Sequence, residues 1–170
     1  MAYIKKETAI NNLINGNNFR SSNFDNFRDD KEVVLEAVKN YGQALKYTSE
    51  PLRNDKEIVL EALKTNGWAL EYASNSLKND KDVVLKAVKT NGLALHHASD
   101  KLKNDKEIVL EAVKTNGLAL HYASESIQSL CENKDPVETL ERVIKAEKLS
   151  NDLEKSLSKS QSSTKPKLKL

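Results

Sequence analysis

The sequence predicts an all-α solenoid, and three observations carry that prediction. One phrase recurs four times at a spacing of 25 residues, as Asp30, Asp55, Asp80, Asp105 and again as Gly42, Gly67, Gly92, Gly117. A repeat of that length signals stacked units, each too small to bury its own apolar face. Apolar residues within a copy follow helical spacing, and no stretch alternates with period two, which argues against strands. Each copy also carries its own start and stop signals, so helices rather than one continuous rod are expected.

The copies occupy 30–54, 55–79, 80–104 and 105–129. In the second, Asn54 is a candidate N-cap with Glu57 three residues on, a capping box. Asp29/Glu32, Asn79/Asp82 and Asn104/Glu107 are its equivalents. Ile58, Val59, Leu60, Ala62 and Leu63 leave a narrow polar stripe of Glu57, Glu61 and Lys64, so the helix needs cover on more than one side. Asn66-Gly67 predicts the stop, with glycine in the left-handed conformation. Lys39, Lys64, Lys89 and Lys114 fall in the last turn, where a cation suits the helix dipole. A shorter helix follows over 68–74. A link, 75–78, then carries one apolar anchor, which is Leu52, Leu77, Leu102 or Ile127 in the four copies.

AVKTNGLAL (87–95 and 112–120), ALEYAS (69–74) and LKND (77–80 and 102–105) give the phrase its signature. On these residues the stretch 30–129 resembles the domain of unknown function 4116 repeat family. That resemblance implies no established activity. It does imply a setting in bacterial and giant-virus proteins, including candidate effectors translocated into a host cell.

Upstream, 1–29 reads as a degenerate capping repeat. Ala9, Ile10 and Leu13 fall one period before Val34, Leu35 and Val38, and Phe27 one period before Leu52, with Phe19 and Phe24 adding bulk. Downstream, Asp135 and Glu138 form a capping box around Pro136, which suits a first helical position. Val137, Leu140, Ile144, Leu149, Leu153 and Leu157 predict an amphipathic capping helix within 130–157 that closes the last repeat. Residues 158–170 are rich in Ser and Lys and predict a disordered basic tail.

Charge and motifs narrow the function. The chain carries a formal net charge of +2, and 30–129 holds 14 basic against 15 acidic residues. No 18-residue apolar run suggests a membrane span, and MAYIKKETAINN lacks an apolar segment of signal-peptide length. A lone Cys131 suits a reducing compartment. A monomer in a cytoplasm is therefore expected. His96 and His121 share one repeat position and would lie one stacking step apart, of order 10 Å, too far for one zinc. His97 takes the place of Tyr47, Tyr72 and Tyr122. Neither a nucleophile–base pair nor a glycine-rich phosphate loop is present, so no enzyme, cofactor or metal site is indicated.

Two binding readings remain. Where the repeats differ, Gln43, Trp68, Leu93 and Leu118 share a face with Lys46, Glu71, His96 and His121. The stripe Trp68, Glu71, Leu93, His96, Leu118 and His121 could present a surface to a protein partner, or its apolar members could pack on the neighbouring repeat. The rival is a polyanion or nucleic acid held by Lys155, Lys159, Lys165, Lys167 and Lys169, with the lysine ladders 39/64/89/114 and 31/56/81/106 in support. Acids beside both ladders weigh against it. The same tail also resembles the basic C-terminal signals of some type IV secretion substrates.

Overall fold

The computed structural model describes residues 26–163, together with Thr8. Ala9, Ile10, Leu13, Phe19 and Phe24 of the expected N-terminal cap lie outside the described residues. So do Lys165, Lys167 and Lys169. Phe27 packs against the core.

Each unit is built from three helical segments, one more than the sequence suggested. The long helices are α1 (Lys31–Asn40), α3 (Lys56–Thr65), α5 (Lys81–Thr90) and α7 (Lys106–Thr115). Each is followed by a 3₁₀ helix: η1 (Gly42–Tyr47), η2 (Gly67–Tyr72), η3 (Gly92–His97) and η4 (Gly117–Tyr122). The supposed links are themselves helical turns, α2 (Glu50–Arg53), α4 (Asn75–Lys78), α6 (Asp100–Lys103) and the slightly longer α8 (Glu125–Leu130). A final helix, α9, spans Pro136–Ser163. No strand occurs among the described residues.

The caps fall one residue later than the capping-box pattern placed them. Asp55, not Asn54, is the N-cap of α3, and its Oδ1 accepts from the backbone N–H groups of Glu57 at 3.0 Å and Ile58 at 3.4 Å. Asp30, Asp80 and Asp105 do the same work. An anion at this position also suits the positive end of the helix dipole. Asn54 is left free to accept from Ser74 Oγ at 2.6 Å and Ser76 Oγ at 2.7 Å in the next unit.

The glycine prediction also needs correction. No glycine of the four takes a left-handed φ. Instead Asn66 ends α3 in an extended conformation, φ −150°, and its side chain accepts from Trp68 N–H at 2.9 Å to open η2. Gly67 is needed for space: a Cβ there would lie 2.5 Å from the Ala87 carbonyl oxygen and 2.9 Å from Asn91 Cβ on the following helix. Gly42 meets Ala62 O, and Gly92 meets Ala112 O, in the same way.

These contacts stack the units into two layers. The long helices lie side by side in one, and the 3₁₀ helices lie side by side in the other, the first three each wedged between its own long helix and the next. Ile58, Val59, Ala62 and Leu63 are fully buried, as are Val83, Val84, Ala87 and Val88 one unit on. Burial of such a side chain contributes on the order of 1.5–3 kcal/mol for the larger ones. Backbone hydrogen bonds of 3.0 Å stitch the turns together, from Ser74 N–H to Arg53 O, Ser99 N–H to Lys78 O and Ser124 N–H to Lys103 O.

α9 occupies the place of a fifth long helix but runs the other way. Glu141 pairs with Lys114 at the end of α7 (2.6 Å), whereas Glu147 pairs with Lys106 at its start (2.8 Å). Its N-terminus is capped by Asp135, which accepts from Glu138 N–H at 2.8 Å. Its 28 residues span about 42 Å against about 15 Å for the ten of α7. Only Val137, Leu140 and Ile144 of its apolar set are therefore covered, while Leu149, Leu153 and Leu157 are exposed. The helix also runs six residues into the stretch assigned to a disordered tail, since neither Gly nor Pro interrupts it before Pro166.

Candidate functional site

The face that differs between repeats is the outer surface of the 3₁₀ layer. The alanine of each 3₁₀ helix faces inward, and so does the glycine of the first three: Ala44, Ala69, Ala94 and Ala119 are fully buried. The intervening residues must then point outward or sideways. Glu71, His96 and His121 are exposed, Trp68 and Leu93 are half-buried, and Leu118 is 62% exposed.

Trp68 packs on the neighbouring repeat and is also partly exposed. Its ring meets the edge of His97 in the next unit, centroids 4.9 Å apart and planes at 69°. His97 is 4.9 Å from His96, which in turn lies 4.8 Å from Tyr122 of the fourth unit. At the other end, Lys46 Nζ sits 5.9 Å from the ring centroids of Tyr47 and Tyr72. A run of rings thus crosses the layer from unit to unit, with the other side of Trp68 and Leu93 left open to solvent.

The polar groups here are set by burial. His97 is held below the ordinary imidazole range by burial first, then by its neighbour His96, with Glu71 opposing. Its Nε2 is buried without a hydrogen-bond partner. Burial, followed by a hydrogen bond with Glu71, pushes the Tyr72 hydroxyl upward. Tyr72 therefore remains a protonated donor at neutral pH. Cys131 is buried at the end of α8, and burial raises its thiol, which disfavours the nucleophilic thiolate. Among the described residues no three His, Cys, Asp or Glu side chains gather to hold a metal ion.

The lysine ladders are largely spoken for. Lys31 bonds Asp55 and Glu57, both at 2.8 Å, and Lys81 bonds Asp105 and Glu107, also at 2.8 Å. Lys56 reaches Asp80 at 2.7 Å and Asp82 at 3.5 Å, and Lys106 reaches Glu147. In the second ladder Lys64 holds Glu61 at 2.6 Å, Lys39 holds Glu36 at 3.4 Å and Lys114 holds Glu141. Lys89, beside Lys86 in place of a glutamate, has no ion pair among the described residues. Lys155 and Lys159 lie exposed on the projecting part of α9, far along the chain from this face.

One set of cations went unnoticed in the sequence. Arg53, Lys78 and Lys103 recur at the repeat spacing, at the ends of α2, α4 and α6. Their period was legible, but a lysine in a link gives no sign of being half-buried, and these are.

Parallel long helices, a 3₁₀ layer and unit-to-unit hydrogen bonds define the chain as a short helical-repeat protein. It belongs to the family described as Domain of unknown function (DUF4116), whose model matches four times, over residues 13–53, 30–78, 55–95 and 80–128. Each match is longer than one 25-residue copy, so the family pattern includes the junction between units. No curated protein and no solved structure gives a significant match. No helix among the described residues is long and apolar enough to cross a membrane.

Proposed function

We propose that the chain is a non-enzymatic scaffold that binds another protein across the outer face of η2, η3 and η4. The observation that supports this most is the contrast between constant and variable positions. Positions inside the stack repeat from unit to unit, whereas Lys46, Glu71, His96 and His121 differ in charge at one exposed position. That position lies outside the buried core of the stack, so its chemistry can vary and serve recognition. Trp68, Leu93 and Leu118 beside it supply apolar area of the kind that anchors interfaces. Stacked repeats commonly present such extended surfaces.

The test places a photo-reactive amino acid at His96, at Leu118 or at Lys89 in the full chain. The expected result is one protein cross-linked from both His96 and Leu118 and absent from Lys89, on the long-helix layer. Cross-linking from Lys89 alone would move the interface to the other layer and defeat the reading.

A further inference from the structure

Arg53, Lys78 and Lys103 break the pattern of neutralised charge. Lys103 has only Asp100, at 3.8 Å, and neither Arg53 nor Lys78 has an ion pair among the described residues. Arg53 Nε is buried with no acceptor, as is His97 Nε2 without a partner. The four groups act on one another. Burial lowers the Lys78 ammonium and Arg53 adds to the effect, while Lys78 and Lys103 both act against protonation of His97. Glu71 is the acid that partly offsets both Lys78 and His97. A shallow groove opens at Arg53, lined by Glu50, Tyr72, Ala73, Ser74 and Asn75. Half-buried cations with so little counter-charge are unfavourable, and donors without acceptors add to that. An anion from outside relieves both.

We infer that the row of recessed cations between the 3₁₀ layer and the one-turn helices, Arg53, Lys78 and Lys103, with the groove at Arg53 at its start, binds an acidic peptide segment. This rests on the protein-binding reading of the same layer and names the partner's chemistry. A peptide fits better than a nucleic acid because the cations are recessed, and exposed Glu50, Glu71 and Asp100 flank them. A phosphate backbone, charged at every nucleotide, would meet those carboxylates. A narrow chain can lower isolated carboxylates between them.

The repeat sets the spacing of those carboxylates. Stacked helices lie about 8–10 Å apart. A polyproline II chain has three residues per turn and a rise of about 3.1 Å, so residues i, i+3 and i+6 share a face at about 9.3 Å intervals. An acid at every third residue therefore meets Arg53, Lys78 and Lys103 in turn.

Fluorescence polarisation with the full chain tests this, using a labelled peptide of three Asp-Pro-Pro triplets. Its control has the same composition with the aspartates contiguous. The triplet peptide should bind at least about tenfold more tightly. Lys78→Gln should weaken it by about tenfold or more, as loss of a hydrogen bond between charged groups would. Lys78→Arg should restore binding, and Lys31→Gln, in the paired ladder, should leave it unchanged. Equal binding of the two peptides, no saturable binding of the triplet peptide, indifference to Lys78→Gln, or tighter binding of a thymidine oligonucleotide would each overturn the assignment. A partner cross-linked from His96 and Leu118 whose capture survives Lys78→Gln would overturn it too, while leaving the scaffold reading in place.

Discussion

The repeated phrase ends its run differently in the two layers. In the long-helix layer α9 lies along α7, and Val109 and Ala112 are as fully buried as Val59 and Ala62 two units earlier. In the 3₁₀ layer η4 has no successor among the described residues. Leu45, Leu70 and Leu95 are fully buried, yet their equivalent Leu120 is only partly so. Gly67 faces a carbonyl that a Cβ could not approach, and Gly117 faces open space. One sequence thus has two structural meanings, depending on whether a neighbour follows. In a stack, the unit of explanation is the junction rather than the repeat.

The sharpest way to break the comparison is to fill the glycines. Gly67→Ala should lose about 3 kcal/mol or more, because the methyl group strikes backbone, which cannot step aside. Gly117→Ala should instead gain about 0.4–1 kcal/mol, since its φ is not left-handed and alanine loses less chain entropy on folding. Thermal or urea unfolding of the two variants measures both. Equal losses would mean that glycine serves a local turn after all.

Leucine truncation should show the same asymmetry on a smaller scale. Leu95→Ala removes a fully buried side chain and should cost about 2–5 kcal/mol. Leu120→Ala should cost roughly half as much, because part of its surface already meets water. A cost at Leu120 equal to that at Leu95 would show the open end to be covered in solution.

How much of this could be read from the chain depends on the range of the interaction. The period, the long helices and the all-α class rest on local spacing, and they were plain. The role of glycine was not, because the atom that forbids a Cβ at Gly67 belongs to Ala87, twenty residues on. The N-cap was misplaced by one residue because Asn54 and Asp55 are both good caps, and the choice between them is made by Ser74 and Lys31 in neighbouring units. For the candidate site, variability picked out the exposed position of Glu71, His96 and His121. Nothing local revealed that Trp68 touches His97, or that Arg53 and Lys78 are recessed without partners.

His97 offers a finer probe, since it alone interrupts the tyrosines of its position. Its imidazole sits below the ordinary value near 6.5 because the folded environment disfavours the charged form. The unfolded chain then binds the proton more readily, so this residue's contribution is intact above about 6.5 and declines as pH falls below it. His97→Tyr should flatten that part of the stability–pH curve while matching the residue found in the other units. An unchanged slope between pH 7 and 5 would assign the acid sensitivity elsewhere.

The smallest expected effect belongs to the paired lysines, and it completes the contrast with Lys78. Lys81 holds Asp105 and Glu107, but about half of its side chain is exposed, so solvent and salt screen the pairs. Lys81→Met should cost about 0.2–1 kcal/mol at low salt and less at high salt. Asp105→Ala should cost more, about 0.5–2 kcal/mol, because it also removes the N-cap of α7, and salt should hardly reduce that share. Glu107 is held below the usual carboxylate range by Lys81 first and then by Lys148. Its contribution is therefore present above an ordinary carboxylate value near 4.3 and is lost as pH falls through the lower folded one. In Lys81→Met that acid-side loss should shrink, because only Lys148 remains to favour the ionised form. If instead the two variants cost the same and respond alike to salt, the aspartate acts chiefly through its lysine, and the ladder holds the long helices together more firmly than their caps do.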